Sequence, residues 1–372
     1  MASSPLTRID EDRVILDPAS LAARAGVSNE AVELLRTSEV VDLHLESFIP
    51  PRLWGYDLHR SHAGSFPWGF FFGHLDLPRV HAGGLTAAMW SIATNILQPR
   101  ARRAEVLQAN VRALCATLAR DPAVAIVTDA SGFRAARQAG KHAALVSVQG
   151  GNAFEARSDG GRIACEHVDP SGTITRVTVV HLSSSSLGGT SSPLRVAGPT
   201  GLSEMGREMV RALDRARVFV DLAHVSERGF WDAMEVHDRA LPAIVTHTGM
   251  RAVHDMWRNL DDRQARAIAD TGGVIGVIFE AGFLGPRLGP RRARDGRAVI
   301  AHLEAVIRAA GEGAAALGSD YDGFIVPPEE LRDGELAYAR LVQHMLDARW
   351  REERIRNVLG LNFLRSFERL RP

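Results

Sequence analysis

Only two cysteines, Cys115 and Cys165, occur in 372 residues. That excludes a disulfide-stapled scaffold and a four-cysteine zinc site. Neither sign of charge is in excess, since Lys plus Arg is 44 and Asp plus Glu is 44. A nucleic-acid binder or a polybasic membrane-surface protein needs a basic field, so neither partner is expected. No apolar run reaches the roughly eighteen residues that a membrane-spanning helix requires. The first dozen residues lack the basic and apolar regions of a signal peptide, and the last few carry no lipidation signal. The expected location is therefore the cytoplasm. No glycine-rich phosphate loop opens a helix after an early strand, which counts against a doubly wound dinucleotide-binding sheet. What is present is an ordinary apolar fraction of 45%, enough for a core, and fourteen histidines, enough for metal chemistry. The length suits one α/β barrel of average size or larger.

The first forty residues read as helical. Asp17 before Pro18 is a cap-and-first-turn pair, and Gly26 stops that helix. Ser28 caps a second helix running to about Arg36, with Glu30 in its first turn. Beyond that, apolar runs alternate with amphipathic stretches. The candidate strands are Val40–His44, Gly84–Ile92, Ala123–Thr128, Ala143–Val148, Val177–His181, Val218–His224, Ala243–His247, Gly273–Phe279 and Ala315–Asp320. Many are continuously apolar, the pattern of parallel strands buried on both faces. Helical patterns lie between them at Arg103–Arg120, Ser131–Ala139, Gly206–Arg215, Glu227–Glu235, Asp262–Thr271 and Ala298–Ala310. The alternation predicts an α/β fold, a (β/α)8 TIM-type barrel over residues 40–372, with residues 1–39 as a helical extension packed on it.

Functional groups of such barrels sit at the C-terminal ends of the strands. Here His44 and Glu46 end the first strand, Gln149 the fourth and His181 the fifth. His224 and His247 end the sixth and seventh, and Asp320 and Asp322 the last. A single strand-end histidine reads more readily as a hydrogen-bonded core residue. Four of them with a carboxylate pair read as a metal or acid–base site, because imidazole and carboxylate together suit zinc and related ions. His44 and Glu46 are two apart and share one side of an extended strand. His59, His62, His74 and His81 lie in loop-like sequence and read as surface or supporting residues. His237, His254, His302 and His344 sit in helical patterns. Cys115 reads as core and Cys165 as inert. The aromatic run Phe66–Phe72 either walls a pocket or packs as core.

Several strings in order carry a resemblance: HLDLPRVHAGGLTAAMWS (74–91), GKHAALVSVQGGNAF (140–154), VTVVHL (177–182), GLSEMGREMVRALDRARVFVDLAHVS (201–226), IVTHTGMRAV (244–253), RN (258–259), ALGSDYDG (316–323) and VLGLNFLRSF (358–367). With them the chain, from about Val40 to Leu370, resembles the membrane (renal-type) dipeptidases, the M19 metallopeptidases of the amidohydrolase superfamily. The resemblance implies the same barrel and a binuclear zinc site that hydrolyses dipeptides. By motif, His224 and His247 correspond to a metal-binding pair, and His181 to the histidine that polarises the scissile carbonyl. Arg258 corresponds to the arginine that binds the substrate carboxylate, and Asp320 to the aspartate that handles protons and the free amine. Two positions depart from the pattern. The His-x-Asp pair is His44-x-Glu46, which keeps the charge but lengthens the arm by one methylene. The bridging glutamate is Gln149, whose neutral amide offsets little of the repulsion between two cations some 3.5–4 Å apart. Asn152 stands where relatives often have histidine.

The resemblance thus leaves open one zinc, two or none. The expected activity is a metal-activated hydrolysis of a dipeptide or related small amide with a free carboxylate. The alternatives are a repurposed homologue doing proton-transfer chemistry with Asp320 and His181, and a silent barrel that only binds a ligand. A homodimer is expected from the resemblance alone. The loops 50–68 and 183–199 are expected to set specificity.

Overall fold

A computed structural model of the chain describes residues 17–63, 69–94, 98–155, 158–159, 162–193, 200–286 and 293–372. Two helices come first, α1 (Pro18–Ala25) and α2 (Asn29–Arg36). Gly26 ends α1 at φ 70°, a left-handed conformation that glycine adopts at little cost, while Asp17 makes no side-chain cap bond. Ser28 caps α2 by accepting from the Ala31 N–H at 3.1 Å.

The strands are β1 (Val41–Leu45), β2 (Ala87–Ala93), β3 (Val124–Ile126), β4 (His142–Gln149), β5 (Ile174–Thr178), β6 (Phe219–Asp221), β7 (Val245–Thr248), β8 (Ile275–Val277) and β9 (Ala315–Leu317). All nine pair in parallel, in the cyclic order β1-β2-β4-β5-β6-β7-β8-β9-β1, while β3 pairs only with the first residues of β4. Between β6 and β7 the ladder shrinks to one bridge, Asp221 against Ile244. Two backbone bonds carry that seam, Leu222 N–H to Ile244 O at 2.9 Å and Ile244 N–H to Val220 O at 3.0 Å. The result is a nearly closed eight-stranded (β/α)8 barrel, the architecture that the alternating pattern predicts.

The outer helices include α3 (Ile49–Trp54), α4 (Leu77–Ala82), α5 (Arg103–Ala119), α6 (Ala130–Gln138), α7 (Glu204–Arg215) and α8 (Glu227–Val236). They continue with α9 (Asp262–Asp270), α10 (Ala281–Leu284), α11 (Arg297–Ala310) and α12 (Gly334–Asp347). The chain closes through α13 (Glu352–Arg356), a π-turn over Asn357–Leu361, and α14 (Asn362–Leu370). Helices α1 and α2 lie on α12, where Ser28 N–H donates to the Gln343 side chain at 2.9 Å and Arg340 to Ala25 O at 3.1 Å. No described helix is long and apolar enough to cross a membrane.

Three strands stop three residues earlier than the apolar runs suggest, and β3 and β8 stop two earlier. β6 ends three residues before His224 and β9 three before Asp320, because both residues take positive φ, 65° and 63°. β5 ends three before His181, where Gly150 and Gly151 N–H groups claim the carbonyls of Thr178 and Val179. The backbone leaves the ladder in each case just as it reaches the barrel mouth. At the other end β8 approaches β7 so closely that a Cβ on Gly276 would stand 1.9 Å from the Thr246 carbonyl oxygen.

A charged pair fills the barrel interior. Arg176 on β5 and Asp221 on β6 are both fully buried, with Nη1 to Oδ2 at 3.3 Å. Asp221 also accepts from the Thr178 and Thr246 hydroxyls at 2.7 Å each and from the Ala223 and Thr246 N–H groups. Burying an ion pair is tolerable only when nearly all of the remaining hydrogen bonds are made, and here the Arg176 Nε alone of the pair's polar atoms lacks a partner. Asp221→Asn is expected to lower the unfolding free energy by about 3–5 kcal/mol, because Arg176 would stay buried without a counter-charge; urea unfolding of the variant against the wild type measures this.

At the base of the barrel His142 donates from Nδ1 to Leu85 O at 2.8 Å and accepts at Nε2 from the Trp90 indole at 3.1 Å. Burial pushes its pKa down to about 3 from 6.5. Its stabilising contribution is complete above pH 6.5 and is lost progressively as pH falls toward 3. Between pH 6.5 and 4 the melting temperature of the wild type should therefore fall more steeply than that of His142→Gln, and equal slopes would count against a neutral buried ring.

Candidate functional site

The mouth of the barrel gathers the residues singled out in the sequence. His44 on β1 is fully buried, and Glu46 beside it is 1% exposed. His44 Nε2 lies 3.3 Å from Glu46 Oε1, 3.4 Å from Asp320 Oδ1 and 3.2 Å from Gln149 Oε1. Gln149 spans the centre, because its Nε2 is 3.0 Å from His224 Nε2 and 3.4 Å from His247 Nε2. Those two imidazole nitrogens are 2.8 Å apart. The His44 and His247 rings stack at 3.9 Å, and His181 meets His224 edge-on at 4.6 Å. Ligand atoms of His44, His247 and Asp320 all fall within 4.8 Å of one another. His224 and Asp320 reach this cluster from left-handed backbone, which costs about 1–3 kcal/mol each and marks functional positions.

Arg258 is 3% exposed rather than a surface residue. It donates to the His247 carbonyl at 2.8 Å, and its Nε has no hydrogen-bond partner. His181 stands three residues beyond β5 and keeps some exposed surface at the mouth. Asp322 does not cap its own turn; it accepts from the His74 N–H at 3.0 Å and from the Ser47 hydroxyl. His74 is accordingly a buried support of this loop. Asn152 turns away to the Thr94 hydroxyl.

Several of the other histidines bond elsewhere, as with His81 on Asp121 at 2.7 Å and His237 on Asp214 at 2.8 Å. His237 follows the last residue of α8 and His254 lies in a turn, so neither is within a helix. Cys115 packs against the core, and burial pushes the Cys165 thiol up to about 12, as expected for inert thiols. Of the aromatic run 66–72, residues 66–68 lie outside the described ones. Phe70 and Phe71 are exposed, and Phe72 packs edge-on against Trp54 and Phe324 at the rim.

The electrostatics follow from burial. Desolvation holds His44, His224 and His247 well below the usual imidazole value, with nearby guanidinium groups adding to the effect. His181 is pushed down to about 4 by burial although part of the residue remains exposed. All four rings are therefore neutral. Burial raises the carboxyl groups of Glu46 and Asp320, the latter strongly, with the Glu46 charge adding to burial and Arg258 opposing it. Burial lowers Arg258 to about 10, against the pull of Asp320 and Asp221.

The fit to a cation can be tested on these contacts. The Thr246 hydroxyl gives its proton to Asp221, so it accepts from His247 Nδ1 at 2.8 Å and leaves a lone pair on His247 Nε2. With a proton, His224 Nε2 donates to the His247 Nε2 lone pair at 2.8 Å but opposes the Gln149 NH2 at 3.0 Å; without one it accepts from that NH2, and its lone pair faces that of His247. An electropositive ion resolves this conflict. Both Glu46 oxygens are buried without a hydrogen-bond partner as well. The donor set fits one divalent ion of the zinc class. It does not fit two, since the group between them is a neutral amide.

Sequence reasoning passed over Arg176, Asp221, Thr246 and Asp42. Asp42, fully buried, accepts from the His44 and Ser319 N–H groups and the Tyr338 hydroxyl. For Arg176, Asp221 and Asp42 the signal was a charged residue among the apolar ones of a strand, as in ITRVT and VDLHL.

Comparison with known proteins agrees with this fold. The dipeptidase AC, a metallo peptidase of family M19, superposes with a TM-score of 0.73 at 25% identity, covering 90% of this chain and 98% of its own. A Rhodobacter sphaeroides metallo peptidase, solved with a phosphinate mimic of the dipeptide L-Ala-D-Ala, gives 0.74 at 24% identity over 90% and 99% of the two chains. The probable dipeptidase PvdM of Pseudomonas aeruginosa gives 0.73 at 17% identity over 95% and 99%. A Klebsiella pneumoniae protein known only as the uncharacterized protein in the pqqA 5' region is 37% identical over 134 residues, 36% of this chain. That match takes in 48% of the Klebsiella protein, so the chain spans about half the length of this curated relative. The family model of the membrane dipeptidases, Peptidase family M19, matches residues 28–371, and the chain belongs to that family.

Proposed function

We propose that the protein hydrolyses a dipeptide, or a related small amide with a free carboxylate, at a centre holding one divalent cation. The observation that carries this reading is the convergence of the His224 and His247 nitrogens, 2.8 Å apart, beside Gln149, with Asp320, His181 and Arg258 around them. The dipeptide mimic bound by the Rhodobacter neighbour supports the substrate class.

His224 and His247 would hold the ion, which when bound supplies Lewis-acid polarisation and a more acidic water. The remaining work belongs to the chain. Arg258 has an unpartnered Nε and a desolvated charge, suited to pairing with the substrate carboxylate. Neutral His181 at the mouth can donate a hydrogen bond to the scissile carbonyl oxygen, where negative charge grows. Asp320 has a raised pKa, which suits taking a proton from water and returning it to the departing amine nitrogen. The carbonyl gains the hydroxyl of water, and the C–N bond breaks as the amine gains its proton.

A second reading rests on Gln149. Its amide already spans His44, His224 and His247, and a centre so satisfied could serve a non-hydrolytic proton transfer by Asp320 and His181. Turnover in H2(18)O separates the two, because hydrolysis places one labelled oxygen in the product acid and isomerisation places none.

Asp320→Asn is expected to lower kcat about 100-fold or more while leaving the metal content of the protein unchanged. Unaltered kcat would remove Asp320 from the proton path. Arg258→Met should lower kcat/KM about 10–100-fold for free-acid dipeptides and abolish their advantage over the C-terminal amides. A preference for free acids that survives the substitution would place carboxylate recognition elsewhere.

A further inference from the structure

We propose that Arg176 fixes His44 as an N–H donor rather than a metal ligand, so that the centre takes one cation at His224 and His247 and none at His44 and Glu46. This deepens the metal-dependent reading and rests on it.

A guanidinium group carries only donors. Arg176 Nη2 stands 2.7 Å from His44 Nδ1, so that nitrogen accepts. The guanidinium cannot turn aside. Its Nη1 is bound to Thr178 Oγ1 at 2.6 Å and Val148 O at 3.2 Å, and its Nη2 to Ser147 Oγ at 3.1 Å. The Asp221 carboxylate, itself filled with donors, pairs with it from the adjacent strand. An imidazole whose Nδ1 accepts from a cation cannot be an imidazolium, so its single proton is on Nε2. That proton faces three acceptors, Gln149 Oε1, Glu46 Oε1 and Asp320 Oδ1, at 3.2, 3.3 and 3.4 Å. A protonated nitrogen has no lone pair for a metal.

The opposite holds across the site. Asp221, the same carboxylate that anchors Arg176, takes the Thr246 proton, and Thr246 then accepts from His247 Nδ1. His247 therefore presents a lone pair at Nε2. One buried ion pair gives the two histidines opposite tautomers, one a donor and one a ligand. With an ion at His224 and His247, the Gln149 amide beside them would face it, and the His44 N–H keeps the Glu46 carboxylate at 3.3 Å. Both oxygens of that carboxylate are otherwise without a partner. Arg176 is a positioning residue in this scheme, and its fixed charge also repels a second dication that neutral Gln149 does nothing to offset.

The test uses full-length protein purified without chelator or an immobilised-metal tag. Zinc is titrated in and counted by elemental analysis, and the histidine tautomers are read by 15N-histidine NMR, with His44 assigned from its loss in His44→Gln. The wild type should bind one equivalent, with His44 protonated at Nε2 before and after zinc. Gln149→Glu should still bind one, and Arg176→Lys, which keeps a donor, should also bind one. Gln149→Glu with Arg176→Met should bind two. Zero or two equivalents in the wild type, two in Gln149→Glu alone, or a His44 that loses its Nε2 proton to zinc would overturn the proposal. If the double variant does not fold, the wild-type spectrum and the Gln149→Glu count still decide. Dipeptide turnover is assayed on the same samples. One equivalent without turnover ends the hydrolase reading and leaves the tautomer assignment standing, while two equivalents with turnover does the reverse.

Discussion

The buried pair of Arg176 and Asp221 is the constraint around which the barrel interior is arranged. Asp221 accepts from two hydroxyls and one backbone N–H on neighbouring strands and from the Ala223 N–H beyond its own strand, and Arg176 directs its Nη donors to β4, β5 and His44. Two charges without access to water are tolerable only while every bond of this set is kept. The set therefore fixes strand register at the level where catalytic side chains leave the strands. It also determines which nitrogen of His44 and of His247 bears a proton, a property that ring position alone would leave open.

The second organising feature is the neutrality of Gln149. A carboxylate at the centre of the site would call for compensating positive charge, whereas an amide donates at one end and accepts at the other. The site accordingly divides into an acidic half, with Glu46 and Asp320, and an imidazole half, with His224 and His247. Burial raises both carboxyl groups and lowers the rings, so each half moves toward its uncharged form. Arg258, reaching in through the His247 carbonyl, supplies positive charge where a substrate carboxylate would enter.

Much of this was legible in the sequence. Continuous apolar runs gave each of the nine strands to within a few residues, since a strand buried on both faces has no polar alternation to blur it. His44, Glu46, Gln149, His224, His247 and Asp320 were visible because they follow those runs. Arg176 was not, because the apolar run Val177–His181 begins one residue after it, so the charge reads as lying before the strand until the barrel closes and places it inside. The early ends of β5, β6 and β9 were hidden for a related reason. The left-handed turns at His224 and Asp320 use residue types that show no glycine-like signal. Asp322 stood out only as a strand-end carboxylate, yet it serves His74 and Ser47, contacts made across 248 and 275 residues of sequence.

The seam between β6 and β7 bears on how the molecule moves. Most of the barrel wall is laddered, although β1 and β9 meet at one register pair and one bridge; between β6 and β7 two backbone bonds and the Asp221 side chain hold it. His224 follows one edge of the seam and His247 lies on the other. An ion shared by these two rings would act as a clasp across this thin joint of the wall. Its binding free energy would appear in the local opening equilibrium as well as in the chemistry. The protein without metal would then breathe along one line, and the same event that arms the site would shut the barrel around it.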